Sequence, residues 1–425
     1  MRQLSTHLLL FAIVLLSGCK RDMFDPQAYE QVVTETMPVN EVDPNHTWNL
    51  TQTHTVVVTA NAGASFGAQR VRILSGNPYI IKEVEILAES AIQPNGTATL
   101  FFSAPSYLQQ FYAALTDAEG RCLLKSFGAA EGKVAFDSGA EAPTGQMNEP
   151  VYQTYTYLYE EDYPKPGDWD FNDLVLRIQK LPAQEPNSVR LRVTLAAAGA
   201  KKQIAAAIRL TGYSADDIES VSIEEGRTFD GAYPVKRIFI EETDLLLRGL
   251  HGEAVLNLFE DAHYALSPRL NEPEKGGTTI RMFYNTSRTP DGTKSAQIAQ
   301  KILTYVVKFK TDKGLQNFTL ETLDPFAIED FNSGHWEVHT APHKAAQVLN
   351  DFGDNVTATS NILVWALKIP SGTFRYPIEG QPLGLSKDGV LTGAYMLRDH
   401  SYGQWMANHN TSIDWFLYPT TGLIY

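Results

Sequence analysis

Between Glu160 and Asp173 the chain reads EEDYPKPGDWDFND, and half of these fourteen side chains carry a carboxylate or amide oxygen: Glu160, Glu161, Asp162, Asp168, Asp170, Asn172 and Asp173. An apolar run, Leu174-Val175-Leu176, follows at once. That much anionic oxygen beside a strand core calls for a counter-charge. Calcium suits it, because calcium takes about six to eight oxygen ligands in a flexible geometry that magnesium does not accept. In an extended segment Asp168, Asp170 and Asn172 would face one way and Trp169 and Phe171 the other, giving a ligand face with an aromatic anchor behind it. The D-x-D-x-N spacing opens an EF-hand loop, but Asp173 stands where that loop requires Gly and Gln179 where it closes on Glu. Expected calcium ligands are Asp168, Asp170, Asn172 and Asp173, joined by Glu160 and Glu161 from the preceding loop. Two other readings stay open: a solvated acidic turn beside Pro164, Pro166 and Gly167, and a paired-carboxylate catalytic site.

Other constellations carry less. His335, His339 and His343 are four apart, but Gly334 and Pro342 argue against a helix. On a strand, His335, Glu337 and His339 share a face that could hold a metal and more commonly meets solvent. No H-E-x-x-H, G-x-S-x-G or G-x-x-x-x-G-K-[ST] occurs, so no catalytic residue is assigned. A retaining glycosidase needs two carboxylates about 5 Å apart, which Glu160 or Glu161 with Asp170 could supply. Tyr155, Tyr157, Tyr159, Tyr163 and Trp169 could stack a sugar, although alternating tyrosines read more simply as one half-buried face of a strand. Trp405, Trp415, Phe416 and Tyr418 read as aromatic closure of the domain. Cys122 among leucines reads as a packed small apolar residue.

The acidic stretch resembles the signature of the LruC-domain family of bacterial lipoproteins, in which an F-E-D-x-x-P element precedes a G-D-x-D-x-N-D-L-V strand. Here YEEDYP places Tyr159 where the family has Phe, and Gly167–Val175 matches closely. NLFEDAHYAL, FYNTS, LDPFAI with WEVH, VWALKIP with FRYPIEG, and a closing DWF extend the likeness over roughly 152–425. EVHTAP and Phe416 depart mildly from the family's EIHL-P-G and DWY. The resemblance implies an exported, β-rich, calcium-dependent surface protein and brings no shared catalytic residues with it.

The N-terminus sets the expected address. Arg2 gives a positive start, Leu8–Leu16 a short apolar core, and Leu16-Ser17-Gly18-Cys19 resembles a lipobox. The run is too short for the roughly 20 residues of a spanning helix, so residues 1–18 read as a signal peptide. Cys19 would then carry the lipid that holds the chain in the outer membrane. Lys20-Arg21-Asp22 partly resembles a surface-export tag, which places the protein in the outward-facing leaflet. Losing residues 1–18 removes only Arg2, taking the formal charge from −14 to −15. That excess of acid argues against nucleic-acid binding.

Strand patterns dominate the remainder. HTVVVTA, RVRILS, VEILAE, TATLFFSA, QFYAALTD and CLLKSF recur at intervals near ten residues, as in a β-sandwich. VRLRVTLAAA, KRIFIEE, TTIRMFYN and ILTYVVKFK follow, while KKQIAAAIRL and SADDIESV contain good helix formers, although the aliphatic flanks of KKQIAAAIRL and Gly212 fit a strand equally well. The expected organisation is all-β: a signal peptide (1–18), a lipidated Cys and tether (19–49), an N-terminal β-sandwich (50–140) and a LruC-like β-rich domain (150–425), both domains jelly-roll-like. The expected role is a non-enzymatic, calcium-stabilised binding or adhesion module with a glycan or cell-surface ligand. The alternative is a hydrolase of polysaccharide or peptide.

Overall fold

The computed structural model describes residues 42–425 except 61–66, 68, 119–121, 137–144, 162, 164–166, 232–235, 268–281, 288–296, 313, 332–333 and 342–363. The signal peptide, Cys19, most of the tether and His343 lie outside the described residues. The fold is all-β. Strands β1 (Thr51–Thr59), β2 (Arg70–Leu74), β3 (Glu85–Ala91), β4 (Thr97–Pro105), β5 (Gln110–Thr116), β6 (Cys122–Gly128) and β7 (Lys133–Ala135) build the first sandwich. One sheet runs β4-β1-β7; the other runs β6-β5-β2-β3 and ends on β8 (Val151–Tyr152), parallel to β3. Alternation places Val56, Val58, Val71, Ile73, Leu100, Phe102, Phe111 and Leu115 in one core between the sheets. The opposite face of the larger sheet buries Leu74, Ile86, Ala114 and Cys122. Burial pushes the Cys122 thiol up to about 11, in keeping with a packed rather than a reactive cysteine.

The second sandwich is larger. Its strands are β9 (Thr154–Tyr159), β10 (Leu174–Leu181), β11 (Ser188–Ala197), β12 (Ala205–Ser214), β13 (Ile218–Ile223), β14 (Leu246–Arg248), β15 (Glu253–Phe259), β16 (Lys301–Phe309), β17 (Leu323–Phe331), β18 (Gly334–His339) and β19 (Ala366–Ile369). Two short helices, α1 (Ala262–Leu266) and α2 (Tyr402–Ala407), sit outside the sheets. A sheet of order β13-β16-β11-β10-β9-β19 packs on one of order β14-β15-β12-β17-β18. Tyr155, Tyr157 and Tyr159 are not a half-buried platform: all three are fully inside, because β9 lies within the six-stranded sheet and faces the core.

Several expectations change. Of the two readings open for KKQIAAAIRL the strand holds, as β12, while SADDIESV gives a short 3-10 turn that Ser214 caps and the start of β13. Segment 236–242 is not a strand; Phe239 and Ile240 instead lie as a loop over the outer face of β12, β15 and β17. Glu260 holds that loop by accepting the backbone N–H groups of Ile238, Phe239 and Ile240 at 2.5, 2.7 and 3.0 Å. TTIRMFYN lies partly outside the described residues, and its described end forms only a single bridge, Tyr284 to Ala198. Trp48, expected in the tether, and Leu50, expected to open the first sandwich, both belong to the core of the second sandwich. His46 stacks on Trp48 at 4.1 Å and reaches the Trp405 carbonyl at 3.1 Å, tying this segment to α2. Trp405, Trp415 and Phe416 do close the domain, while Tyr418 stays 37 % exposed.

The strand carrying His335, Glu337 and His339 does not present a solvent face. Glu337 and His339 are buried, and the His339 ring lies between Asp324 (Nδ1 to Oδ2, 3.0 Å) and Glu337 (Nε2 to Oε2, 3.1 Å). Arg209 donates to Asp324 at 2.6 Å. Burial opposes the imidazolium, but Asp324 and Glu337 outweigh it and raise His339 to about 9. This is an internal ion network rather than a metal face.

Candidate metal centre

The acidic segment is the fourteen-residue loop from Glu160 to Asp173 that joins β9 to β10, whose ends pair at Tyr159 and Leu174. It is not extended. Trp169 and Phe171 have φ of 63° and 55°, left-handed values that curl the chain. Both rings are buried in the sandwich core, so the aromatic anchor exists, but it is made by a winding loop rather than by strand alternation.

Three further segments close over the loop. The end of β11 approaches it: Gly199 N–H donates to the Asn172 and Asp173 carbonyls at 3.2 and 3.0 Å. Backbone N–H groups of Lys201 and Lys202 donate to the Glu161 carboxylate at 3.0 and 2.8 Å. His263 of α1 steadies that turn from behind, its Nε2 being 2.7 Å from the Ala200 carbonyl. Segment 377–383 comes from the far end of the chain. Gly380 N–H donates to Asp170 Oδ2 at 2.7 Å, Asn172 donates to the Pro377 carbonyl at 3.3 Å, and Leu383 N–H donates to the Trp169 carbonyl at 2.8 Å. Thr286 accepts the Glu379 N–H at 2.9 Å through its carbonyl, bringing in the third segment.

Within this enclosure Glu160, Asp168 and Asp170 each offer an oxygen, and the three atoms lie within 4.8 Å of one another. Two oxygens on one calcium can be separated by at most about twice a 2.3–2.6 Å bond, so the spacing fits a shared cation. Glu160, Glu161, Asp170, Asn172 and Asp173 are all buried, which rules out a solvated turn; Asp168 alone of the expected ligands is exposed. Internal hydrogen bonds satisfy part of the set. Glu160 Oε1 accepts Phe171 N–H at 2.5 Å, Asp170 Oδ1 accepts Asn172 N–H at 3.0 Å, and Asp173 Oδ2 accepts Glu161 N–H at 2.6 Å. The Glu161 carboxylate takes the Lys201 and Lys202 N–H groups, Asp173 accepts at Oδ2, and Asp170 accepts at both oxygens, so each of these side chains also frames the cluster.

Other oxygens are left over. Glu160 Oε2, Asn172 Oδ1 and Glu379 Oε2 are buried without a hydrogen-bond partner. Two glycines make room for them: a Cβ at Gly167 would stand 2.1 Å from Glu160 Oε2, and one at Gly199 2.1 Å from Asn172 Oδ1. Leaving such oxygens bare costs about 1–3 kcal/mol each, more when they are charged. Burial first, then Asp173, Asp170 and Asp168, push the Glu160 carboxyl well above its usual range. Burial and Asp168 do the same to Asp170, and burial and Asp170 to Asp173. Burial and Asp168 raise Glu379 to about 7. Among the described residues, no Lys or Arg pairs with Glu160, Asp170 or Asp173. The donor set is all hard oxygen, anionic and short of positive charge, which is the chemistry of a divalent cation site. Glu379 was not among the expected ligands, and its only trace in the sequence was the final Glu of FRYPIEG, more than 200 residues from Asp170.

Comparison with known proteins defines the fold but not a role. Residues 187–386 match a family described as a domain of unknown function (DUF4842), a span that includes Gly199 and Glu379 and excludes the acidic loop. No curated protein matches the chain. The crystal structure of a Bacteroides ovatus protein assigned as a lipoprotein superposes with a TM-score of 0.50 at 13 % identity, covering 84 % of this chain and 99 % of that one. A Corynebacterium diphtheriae protein assigned as membrane-anchored aligns at 9 % identity over 75 % of this chain and 56 % of that one; its TM-score of 0.15 supports no argument. Among the described residues no helix is long and apolar enough to cross a membrane. The chain is thus similar in fold to a structure assigned as a lipoprotein, and its residues 187–386 are similar to the DUF4842 family.

Proposed function

We propose that the chain is an outer-membrane lipoprotein, anchored through Cys19 and facing outward, whose second sandwich is a calcium-stabilised binding or adhesion module. The observation that carries the calcium reading is the set of buried, unpartnered oxygens on Glu160, Asn172 and Glu379 beside the Glu160–Asp168–Asp170 cluster. Calcium held there by Glu160, Asp168, Asp170, Asn172 and Glu379 would join the β9–β10 loop to segment 377–383. It would stabilise the folded state by about 2.7 kcal/mol at a hundred times its dissociation constant. The lipobox supports the anchor, and the lipoprotein assignment of the B. ovatus protein and the LruC resemblance agree with it.

A binding role is favoured over hydrolysis because Glu160 and Asp170, the pair a hydrolase would use, are 2 % and 1 % exposed. A glycan array probed with residues 20–425 tests the role: binding that vanishes with chelator supports it, and a blank array with intact folding counts against it. Turnover of a polysaccharide or peptide panel, lost in Asp170→Ala without loss of fold, would establish the hydrolase instead. Calorimetric titration of Glu379→Ala is expected to show calcium binding weakened by about tenfold or more. Labelling with radioactive palmitate, lost in Cys19→Ala, tests the anchor.

A further inference from the structure

A cleft of about 450 Å³ lies between the two sandwiches, walled by β3 and β4 on one side and by β10, the start of β11 and segment 315–320 on the other. That volume lies within the range of small-molecule sites, which favour domain interfaces. Its charged lining is Arg70, Glu89 and Lys180, a net +1 in a chain of −14. Glu89 is already taken by Arg70 and Arg72, at 3.5 and 2.6 Å. Lys180 has no carboxylate partner among the described residues; its ammonium donates to the Phe318 carbonyl and sits 5.6 Å from the centre of the Phe318 ring. An ammonium has three donors, so two remain for a ligand. Burial lowers Lys180 to about 8, and an incoming anion would offset that cost. Around it stand Tyr152, Gln153, Ser188, Gln316 and Thr319. Gln153 and Ser188 already donate to the Ser103 and Glu185 carbonyls and Thr319 accepts the Glu321 N–H, which leaves acceptor oxygens on Gln153 and Ser188, the Thr319 hydroxyl donor and the Gln316 amide for a ligand rich in hydroxyls.

We propose that this cleft binds a polyhydroxylated acid the size of an acidic mono- or disaccharide, with its carboxylate on Lys180. The proposal rests on the reading of the chain as a binding module and names its ligand class. The test is calorimetric titration of residues 20–425 with glucuronate, galacturonate and N-acetylneuraminate mono- and disaccharides, each beside its uncharged methyl ester. The expected result is saturable binding of at least one acid, with its ester weaker by about tenfold or more, as the loss of one charge-assisted hydrogen bond requires. Lys180→Gln should lose the same factor. Gln316→Trp, at an exposed position on the rim, should weaken binding by narrowing the cleft, and it serves if Lys180→Gln fails to fold. The proposal is overturned if no acid binds, if esters bind as well as acids, if a folded Lys180→Gln binds as wild type does, or, where that variant fails to fold, if Gln316→Trp binds as wild type does. A positive glycan array combined with a blank acid panel would sink the cleft and leave the binding module standing.

Discussion

Replacing His339 with glutamine removes the centre of a buried ion network, and the size of the effect should depend on pH in a defined direction. The imidazolium lies between Asp324 and Glu337 with neither partner exposed, and it holds its proton to about pH 9 against 6.5 when free. That rise is equivalent to about 3 kcal/mol. A raised basic group contributes its full stability below its unfolded pKa and loses it as pH climbs through the folded one. The contribution is therefore complete below about pH 5.5, nearly so at pH 6.5, and gone by about pH 10. At neutral pH, removing one partner of a buried network costs about 3–5 kcal/mol. Urea unfolding followed by tryptophan fluorescence isolates the right unit. Of the six tryptophans, five lie in the core of the second sandwich and Trp336 packs against it. Wild type should exceed His339→Gln by several kcal/mol at pH 6.5, and the gap should narrow by about 3 kcal/mol at pH 10. A gap of constant size over that range would refute a protonated His339.

Three further outcomes follow from the same geometry. Gly199→Ala drives a methyl into Asn172 Oδ1 and its carbonyl, and should cost about 1–3 kcal/mol in urea while shrinking any calcium-dependent rise in melting temperature; an unchanged calcium response would place Asn172 outside the site. Glu260→Ala strands the N–H groups of Ile238, Phe239 and Ile240, and a loss of at least about 2 kcal/mol is expected in the same assay. Cys122 should resist thiol reagents at pH 8 until the first sandwich unfolds, since it is 5 % exposed and its thiol is pushed up to about 11; rapid labelling of the native protein would contradict that packing.

Much of the fold could be read from period-two alternation, because β-branched runs such as VVV at 56–58 and the FYAAL stretch have few alternatives to half-buried strands. The exceptions share a cause. KRIFIEE has a strand's composition, but Glu260 supplies its backbone hydrogen bonds, so it covers a sheet instead of joining one. KKQIAAAIRL has helix-forming alanines, yet small side chains are what β12 needs between its two buried faces. At the candidate site, the local density of acids pointed to the right loop, but not to its shape. Left-handed Trp169 and Phe171 defeat alternation, and composition gives no warning of positive φ at aromatic residues. Glu379 and Gly199 were hidden for a different reason: their proximity to Asn172 and Asp170 arises from tertiary folding, which no spacing rule encodes. The histidine pattern was legible as a shared face, whereas its burial depended on Arg209 and Asp324 from two other strands.

The most direct test of the calcium-dependent account is thermal unfolding of residues 20–425, with calcium and with chelator, beside an Asp168→Ala/Asp170→Ala variant. Calcium at a hundred times its dissociation constant should raise the wild-type midpoint of the tryptophan-reported transition by about 5–10 °C, and the variant should not respond. Wild type and variant melting alike, unmoved by either calcium or chelator, would contradict it.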